Sequence, residues 1–448
     1  MSTPTVAILV ARRPDGGRRD ELWKFCRDRW RTEFPNWPIH EADVDGPFNR
    51  GAALNEAHRA AEADVYLVVD ADVAIDPQQV RDAVDLAAAT GRAVFPFTRY
   101  IALNRSMTDR VLDGYDGNWA PGKKFQMDGN HWSSVIAVPA DLWAETRGFD
   151  ERCWGWGHDD GIFAHTLRVL GGGLERLPGS VWHLEHPVSP HTSRSDAGNR
   201  AAGALARRYY RELDPEGVRA MIAERQVDDA VTLAVLTDGR RDCVEKSIPA
   251  ALRNLQGLPI THIIVSDDSG DPEYAAWLRR WVPGAEILTS PRRTGFAENV
   301  RRTWEAALGT GTPWVFWLED DFEVLEPVDI RRMADVLTHE PHLTQMVLKR
   351  QPWFPNEVAA GDLIAVHDDA VQKESWRGEW VEHAKGHWTN PHLVSRRFLA
   401  EHEWPRGAAS EATFARQVMR GDRRSAFWGL VSDAPLVHHM GERKGRGY

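Results

Sequence analysis

The strongest constraint on this chain is that its two halves repeat one order of strands and helices. Each half opens with a short apolar, β-rich run that ends in arginines, and an amphipathic helical segment and a second strand follow. The paired segments are residues 5–13 and 231–241, 19–30 and 243–255, and 38–44 and 262–268. Alternation of strand and helix predicts a mostly parallel sheet with helices on both faces.

The repeat continues through the next strand of each half. Residues 48–73 and 295–322 both run from a glycine turn through a helix and a buried strand into acidic residues, and a histidine cluster comes late in each half. We interpret the shared order as a tandem duplication. It predicts two α/β domains, residues 1–213 and 230–448, joined by a polar helical linker at 214–229.

Composition and charge exclude several classes of protein. With 448 residues, 42% hydrophobic and 27% charged, the chain is long enough for two or three domains and is neither disordered nor fibrous. A net charge of −11 disfavours broad nucleic-acid binding. Three cysteines without a C-x-x-C pair offer neither a disulfide framework nor a zinc knuckle. No apolar run approaches the roughly 20 residues of a membrane-spanning helix, and we expect no signal peptide and a cytoplasmic location.

Tryptophan is the one compositional anomaly, with 20 residues against 7 tyrosines. The indole ring has a flat apolar face and one N–H donor, which suits stacking on sugar rings or bases. We nevertheless expect most of these residues in the core.

Acidic residues follow the buried strand of the first half. Asp70 and Asp72 come directly after residues 66–69, and ligands of an open parallel sheet lie beyond the carboxyl ends of its strands. Alternate residues of an extended segment point the same way, and two neighbouring carboxylates repel unless a cation lies between them. Mg²⁺ or Mn²⁺ bound to a diphosphate is the chemical interpretation. A turn or helix N-cap at the strand end is the alternative, because Asp76-Pro77 follows.

A second constellation lies downstream of these acids. Residues 154–160, WGWGHDD, combine Trp154 and Trp156 as stacking faces with Asp159 and Asp160, and a carboxylate beside such a platform can accept a proton from a hydroxyl. His183 and His186 follow at a spacing that lets both turn towards one metal ion, although a lone histidine more often has a structural role.

Together these segments resemble a known family. The F-N-R of residues 48–50, the D-x-D at 70–72, the W-G-W-G with its acids and the late histidines occur in the order seen in GT-A glycosyltransferases. The likeness is greatest to the β-1,4-galactosyltransferases and to family 2 enzymes of the chondroitin-polymerase type, and it covers residues 4–190. It implies a GT-A fold, which is Rossmann-like, and glycosyl transfer from a nucleotide sugar.

The resemblance implies a role for each matching residue of the first half. Asp72 is expected to bind the metal with His183 and His186, and Asp70 to contact the ribose or the metal. Asp160 matches the catalytic carboxylate and Asp159 the acid before it, but His158 and a shorter acidic run depart from the family pattern and leave open which aspartate is the base. The remaining nucleotide-sugar contacts are expected at Arg12, Arg13, Asn49, Arg50, Trp154 and Trp156.

The second half resembles the broader family 2 pattern. Asp267 and Asp268 match the turn that holds the nucleoside, and Asp321 matches the metal ligand of the acidic strand end. Glu411 lies where the acceptor-side carboxylate is expected, although the half has no W-G-W-G platform. The other implied site residues are His438 and His439 for the metal and Thr237, Glu319, Arg443 and Lys444 for the nucleotide sugar.

The resulting hypothesis is metal-dependent, inverting transfer of a sugar from a UDP-sugar to an acceptor hydroxyl, with Mn²⁺ or Mg²⁺ as cofactor and two successive transfers by the two domains. The acceptor is left open between a glycan, a protein and a modified nucleic acid, such as hydroxymethylated bases of phage DNA. One domain acting only as a carbohydrate-binding module is an alternative. A nucleotidyltransferase is disfavoured because the first strand lacks a glycine-rich phosphate loop with its lysine.

Overall fold

The computed structural model describes residues 3–44, 48–129, 131–155, 157–187, 196–226, 230–384, 386, 387 and 389–441. The chain divides into two compact units, Met1–Gln226 and Val227–Tyr448. Each is described by itself.

The first unit contains ten strands and eight α-helices among its described residues. Its strands are β1 (Val6–Ala11), β2 (Ile39–Ala42), β3 (Val65–Val69), β4 (Val73–Ile75), β5 (Ala93–Phe95), β6 (Arg99–Leu103), β7 (Lys123–Asp128), β8 (Val135–Pro139), β9 (Leu174–Arg176) and β10 (Ser180–His183). Its helices are α1 (Arg18–Glu33), α2 (Arg50–Arg59), α3 (Pro77–Thr90), α4 (Arg105–Leu112), α5 (Ala140–Thr146), α6 (Asp159–Leu170), α7 (Ala197–Tyr209) and α8 (Pro215–Ala223).

Two sheets organise the first unit. The larger has the order β2-β1-β3-β8-β5-β9, in which β1 pairs in parallel with β2 and β3, and β8 runs antiparallel to β3. The smaller has the order β4-β10-β6-β7. All five residues of β3 are buried, as expected for a strand covered on both faces.

The second unit is built around one nine-stranded sheet. Its strands are β11 (Val231–Thr237), β12 (Leu255–Gln256), β13 (Ile260–Asp267), β14 (Glu286–Thr289), β15 (Trp314–Glu319), β16 (Phe322–Val324), β17 (Val328–Asp329), β18 (Leu343–Val347), β19 (Val371–Ser375), β20 (Gly378–His383), β21 (His392–Ser395), β22 (Arg424–Trp428) and β23 (Val437–His439). Its helices are α9 (Arg241–Asn254), α10 (Pro272–Trp281), α11 (Phe296–Thr310), α12 (Ile330–His339), α13 (Pro355–Ala360), α14 (Arg396–Glu401) and α15 (Ser410–Val418).

The large sheet of the second unit has the order β14-β13-β11-β15-β21-β18-β22-β20-β19. Strand β11 pairs in parallel with β13 and β15, and β21 runs antiparallel to β15. The α/β class predicted from the sequence is confirmed. The sheets of both units are mixed rather than mostly parallel, since antiparallel strands continue each sheet beyond β3 and β15.

The predicted linker helix corresponds to α8, which lies in the first unit. Beyond its end, Arg225 Nε donates to Tyr209 Oη at 2.9 Å, and Arg225 Nη1 donates to the carbonyl oxygens of Thr146 and Gly148 at 3.0 Å. These bonds tie the segment to α7 and to the end of α5, so the compact unit extends to Gln226.

Most tryptophans whose placement is described serve the two cores. Trp23 and Trp317 are among the largest fully buried side chains, and Trp376 is the most exposed large apolar residue in the described part of the chain, at 80%. No helix in the described ranges is long and apolar enough to cross a lipid bilayer.

Candidate active sites at the acidic strand ends

A cluster of one carboxylate and two imidazoles lies at the end of β3. Asp72 Oδ1 is 3.5 Å from His183 Nε2, and Asp72 Oδ2 is 3.1 Å from His186 Nε2. One ligand atom from each residue lies within 4.8 Å of the others, and in the described ranges this is the one group of three such side chains. That spacing suits a single divalent cation.

Pairing between short strands assembles this cluster. Strand β10 ends at His183 and runs antiparallel to β4, so that His183 lies opposite Val73. Leu184 N donates to Asp72 O at 2.8 Å and fixes the segment between the histidines. His186 Nδ1 lies 2.8 Å from Pro187 O, which leaves Nε2 towards Asp72.

The charges in the cluster support one another. Burial alone would raise the pKa of Asp72, but the imidazoles of His183 and His186 outweigh it and hold that pKa well below its usual range. Burial disfavours the charged form of His186, yet its hydrogen bond to Asp72 raises the pKa of the imidazole. The carboxylate is therefore ionised and available as a ligand.

Arg50 links the acids of the strand end to those of α6. Its Nη2 donates to Asp70 Oδ1 at 2.7 Å, and its Nη1 lies 3.3 Å from Asp159 Oδ2. The other oxygen of Asp70 accepts a 2.8 Å bond from Ser134 N. The structure thus brings Asp70, Arg50 and Asp159 together, as the sequence predicts for one site.

Asp160 differs from its neighbour in its electrostatics. Burial and the adjacent charge of Asp159 raise the pKa of Asp160 to about 6, while its Oδ1 accepts a 2.8 Å bond from Gly161 N. Both acids lie in the first turn of α6, and His158 before them has a φ of 72°, the left-handed region that few non-glycine residues adopt. The turn places both carboxylates at the start of α6, where Asp159 Oδ2 lies 3.3 Å from Arg50 Nη1.

Other predicted contacts of the first unit have local partners. Asn49 caps α2, accepting from Ala52 N at 2.9 Å, and donates to Glu151 O at 2.7 Å. Arg12 pairs with Asp20 and Glu41, and Arg13 pairs with Asp43 at 2.9 Å. Trp154 is half-buried, and Trp156 lies outside the described residues.

The second unit has a related arrangement at the end of β15. Asp321 Oδ2 accepts a 2.8 Å bond from Arg240 Nη1 and lies 3.3 Å from His439 Nε2. Asp321 Oδ1 is buried and has no hydrogen-bond partner among the residues that the structure describes. A Cβ atom at Gly441 would lie 2.7 Å from Asp321 Oδ2 and 2.9 Å from His439 Nε2. Asp321 Oδ1 is therefore a potential cation ligand, and Gly441 lies too close to Asp321 and His439 to carry a side chain.

Strand alternation separates the two late histidines of this unit. Strand β23 pairs with β16, with His439 opposite Phe322 and His438 opposite Glu323. His439 stacks on Phe322 at 4.5 Å between ring centroids, whereas His438 is exposed. The structure therefore brings His439 to Asp321 and places His438 on the other face of the strand.

The remaining acids of the second unit shape its strand ends. Asp320 is fully buried and accepts bonds from Thr237 Oγ1 at 2.7 Å and from Arg240. Asp268 accepts from Thr294 N at 2.8 Å and from Gly295 N at 2.7 Å, immediately before α11. Asp267 accepts from Ser269 N at 2.7 Å, and burial raises its pKa.

Glu411 lies close to the acidic strand end. Burial, together with the charges of Asp321 and Glu411, raises the pKa of Glu319 well above its usual range, so the three carboxylates share one electrostatic environment. Thr389 Oγ1 donates to Glu411 Oε1 at 2.9 Å. Arg443 and Lys444 lie outside the described residues.

Sequence reasoning did not single out Arg240, Ser134 or Thr389 as site residues. Arg240 carried a signal, since it belongs to the arginine-ended run that the halves share. Ser134 acts through its backbone N–H, which no sequence pattern reveals.

The structure is thus an α/β protein with acidic side chains clustered at one strand end of each unit. Residues 236–385 match the family model described as Glycosyl transferase family 2. This match lies within the second unit and confirms the family 2 resemblance that the motifs of that half indicate. No curated protein matches the chain.

Solved structures with some similarity include two glycosyltransferases. The crystal structure of GalNAc-T7 with UDP, GalNAc and Mn²⁺ is 9% identical, covers 50% of this chain and 45% of its own, and has a TM-score of 0.34. The catalytic domain of Drosophila β1,4-galactosyltransferase 7 in complex with xylobiose is 17% identical, covers 41% of this chain and 71% of its own, and has a TM-score of 0.27. The chain spans less than half of the GalNAc-T7 structure. Identities and TM-scores this low do not assign an activity to either unit.

Proposed function

We propose that the protein is a metal-dependent, inverting glycosyltransferase that moves a sugar from a nucleotide sugar, with UDP as the favoured nucleotide, to an acceptor hydroxyl. The observation that carries this proposal is the family 2 match, because it covers Glu319, Asp320 and Asp321 at the strand end of the second unit. The first unit supports it with an equivalent strand end that has two histidines in reach.

In the first unit, Asp72, His183 and His186 are the proposed holders of the cation. A mixed set of one carboxylate and two imidazoles suits Mn²⁺ better than Mg²⁺, which prefers oxygen ligands. The bound cation would neutralise charge on the donor's diphosphate and so improve it as a leaving group. In the second unit, Asp321 and His439 are the proposed holders, with Asp321 Oδ1 as the free ligand atom.

Asp160 is the proposed general base of the first unit. A base accepts the hydroxyl proton of the acceptor as its oxygen attacks the anomeric carbon opposite the leaving diphosphate. A pKa of about 6 makes Asp160 a better proton acceptor than an ordinary aspartate while it stays ionised at pH 7. Glu411 has the corresponding role in the second unit.

The donor's nucleoside and sugar are proposed to contact residues around these centres. Arg50 and Asp70 line the first site through their mutual ion pair. Asn49 and Asp268 use their side chains to fix backbone at a helix start, so they shape the wall of a site. The other proposed contacts are Arg12, Arg13, Trp154 and Trp156 in the first unit and Thr237, Asp267, Glu319, Arg443 and Lys444 in the second.

The experiment is donor hydrolysis by the full chain. Incubation with UDP-glucose or UDP-galactose and Mn²⁺ should release UDP slowly, and EDTA should stop the release. Asp72→Ala together with Asp321→Ala should abolish it, whereas Arg13→Gln, a change at the proposed nucleotide contact, should weaken donor affinity. Absence of metal-dependent release of the matching nucleoside diphosphate from every member of a panel of UDP-, GDP- and dTDP-sugars contradicts the proposal. The acceptor then follows from product analysis with a glycan, a protein or DNA containing hydroxymethylated bases.

A further inference from the structure

A short sequence repeat adjoins the acidic strand end in both units. Residues 131–134 read His-Trp-Ser-Ser and precede β8, while residues 387–390 read His-Trp-Thr-Asn and precede β21. Both strands run antiparallel to the strand that carries the acids, with Val69 opposite Val135 and Trp317 opposite His392. Extending each register puts Ser134 beside Asp70 and Asn390 beside Glu319. Ser134 and Asn390, the last residues of the two repeats, therefore occupy the same position relative to the acidic strand.

In the first unit this segment holds the strand-end acid in place. Ser134 N donates to Asp70 Oδ2 at 2.8 Å, and Asp70 N donates back to Ser134 O at 2.8 Å. Ser134 is 1% exposed and has a φ of 78°, and its Oγ lies 2.9 Å from His131 Nε2. A left-handed serine persists when its surroundings require it, and here that conformation aims the N–H at the carboxylate.

In the second unit the equivalent segment contacts Glu411, the proposed general base of that unit. Thr389, the counterpart of Ser133, donates from Oγ1 to Glu411 Oε1 at 2.9 Å. Glu411 lies in the first turn of α15 with an exposed side chain, so its helix alone allows several rotamers of the carboxylate. The bond from Thr389 Oγ1 stabilises one rotamer, in which the charge of Glu411 acts on Glu319.

We propose that Thr389 is a positioning residue of the second unit, which orients the carboxylate of Glu411 towards the acidic strand end so that it can take the acceptor's proton. This inference rests on the proposed function of that unit. It goes beyond that function because it assigns a role to a residue outside the strand-end acids, the late histidines and the acceptor-side carboxylate. The Thr389 side chain also hydrogen-bonds Glu319, so it links Glu411 to the strand-end acids, and its proposed effect on proton transfer is through Glu411.

The test measures UDP release by the full chain in an Asp72→Ala/Asp160→Asn background, which removes the proposed metal ligand and base of the first unit. Thr389→Val keeps the side-chain shape but loses the hydroxyl that donates the hydrogen bond. It should lower kcat about 10- to 100-fold, in keeping with the cost of misplacing a catalytic group. KM for the nucleotide sugar should stay within about 2-fold. Thr389→Ser keeps the hydroxyl and should retain kcat within about 3-fold. The matched control is Ser375→Ala in the β19–β20 hairpin, which should leave both constants unchanged.

A double-mutant cycle separates positioning from a purely structural role. If Thr389 works through Glu411, Thr389→Val adds no further loss in a Glu411→Gln background. A further loss there, or equal losses for Thr389→Val and Thr389→Ser, overturns the inference. Unchanged kcat for Thr389→Val while Asp321→Ala and Glu411→Gln both lose activity overturns the inference alone. If neither Asp321→Ala nor Glu411→Gln lowers UDP release, or none occurs, the proposed function of the second unit fails and the inference with it.

Discussion

Asp159 and Asp160 are neighbours in the sequence, yet their surroundings give them different chemistry. Asp159 lies 3.3 Å from the guanidinium of Arg50, so its charge is already compensated. Asp160 is held near that negative charge in a buried turn, and its pKa rises to about 6. A buried carboxylate with a raised pKa is a good candidate for a general base, which favours Asp160 in that role.

We expect the pH profile of the first unit to report Asp160. The base must be ionised, so kcat should fall about tenfold per pH unit below pH 6 and level off above it. Asp159→Asn removes the neighbouring negative charge, which lowers the pKa of Asp160 and should move this limb to lower pH. Initial rates of UDP release in an Asp321→Ala background measure both profiles. A limb that stays in place in Asp159→Asn assigns the titration to another group.

The late histidines of the second unit offer a matched pair of substitutions. His439 lies 3.3 Å from Asp321, whereas His438 is exposed on the other face of β23. His439→Ala should weaken Mn²⁺ binding at this site by about 10- to 100-fold, the scale typical of losing a coordinating or orienting group. His438→Ala should bind Mn²⁺ like the parent. Calorimetric titration in an Asp72→Ala background checks this, and equal losses for the two variants would return His438 to the ligand set.

At the scale of elements, the sequence predicted helices and strands whose residue pattern lies within one short segment of the chain. The predicted helices 19–30 and 243–255 lie within or beside α1 and α9, and the predicted strands at 38–44 and 262–268 overlap β2 and β13. The sequence did not predict antiparallel strands such as β8 and β21, because their pairing joins residues far apart in the chain. That pairing also places Ser134 on Asp70 and Thr389 beside Glu411, which is why sequence motifs found the acids but not the groups that orient them.

Residues 214–226, which belong to the predicted linker, lie in the first compact unit. Asp150, buried just before the W-G-W-G segment, binds Arg152 Nη2 at 2.8 Å and accepts a 2.9 Å bond from Tyr209 Oη of α7. Arg225 lies 3.4 Å from the same carboxylate. Burial alone would raise the pKa of Asp150, but the two arginines outweigh it and hold that pKa well below its usual range.

Removing the carboxylate at this junction should therefore destabilise the first unit. Asp150→Ala leaves two arginines without their buried partner and should cost about 3–5 kcal/mol of unfolding free energy. The matched change in the second unit is Glu357→Ala, which breaks an ion pair with Arg350 whose side chains are both 3% exposed. Urea unfolding followed by tryptophan fluorescence should show each variant moving a different transition. One shared transition that moves in both variants would contradict separate folding units.

At the scale of the whole molecule, the two units differ in how many potential metal ligands meet at the acidic strand end. Three such side chains, Asp72, His183 and His186, converge in the first unit. In the second, Arg240 Nη1 lies 2.8 Å from Asp321 and competes electrostatically with a cation. A metal ion must displace the arginine that pairs with its ligand carboxylate. We therefore expect the second site to bind the metal ion more weakly than the first.

We therefore expect the full chain to bind two Mn²⁺ ions with unequal affinity. Asp72→Ala should remove the tighter site, Asp321→Ala the weaker one, and the double variant both. Replacing the competing guanidinium by Arg240→Gln should tighten the weaker site alone, because the carboxylate of Asp321 then loses its ion pair with the arginine. Electron paramagnetic resonance of free Mn²⁺ during a titration counts the sites directly, independently of any turnover. A single site lost with Asp72→Ala would contradict the proposed Mn²⁺ site at Asp321.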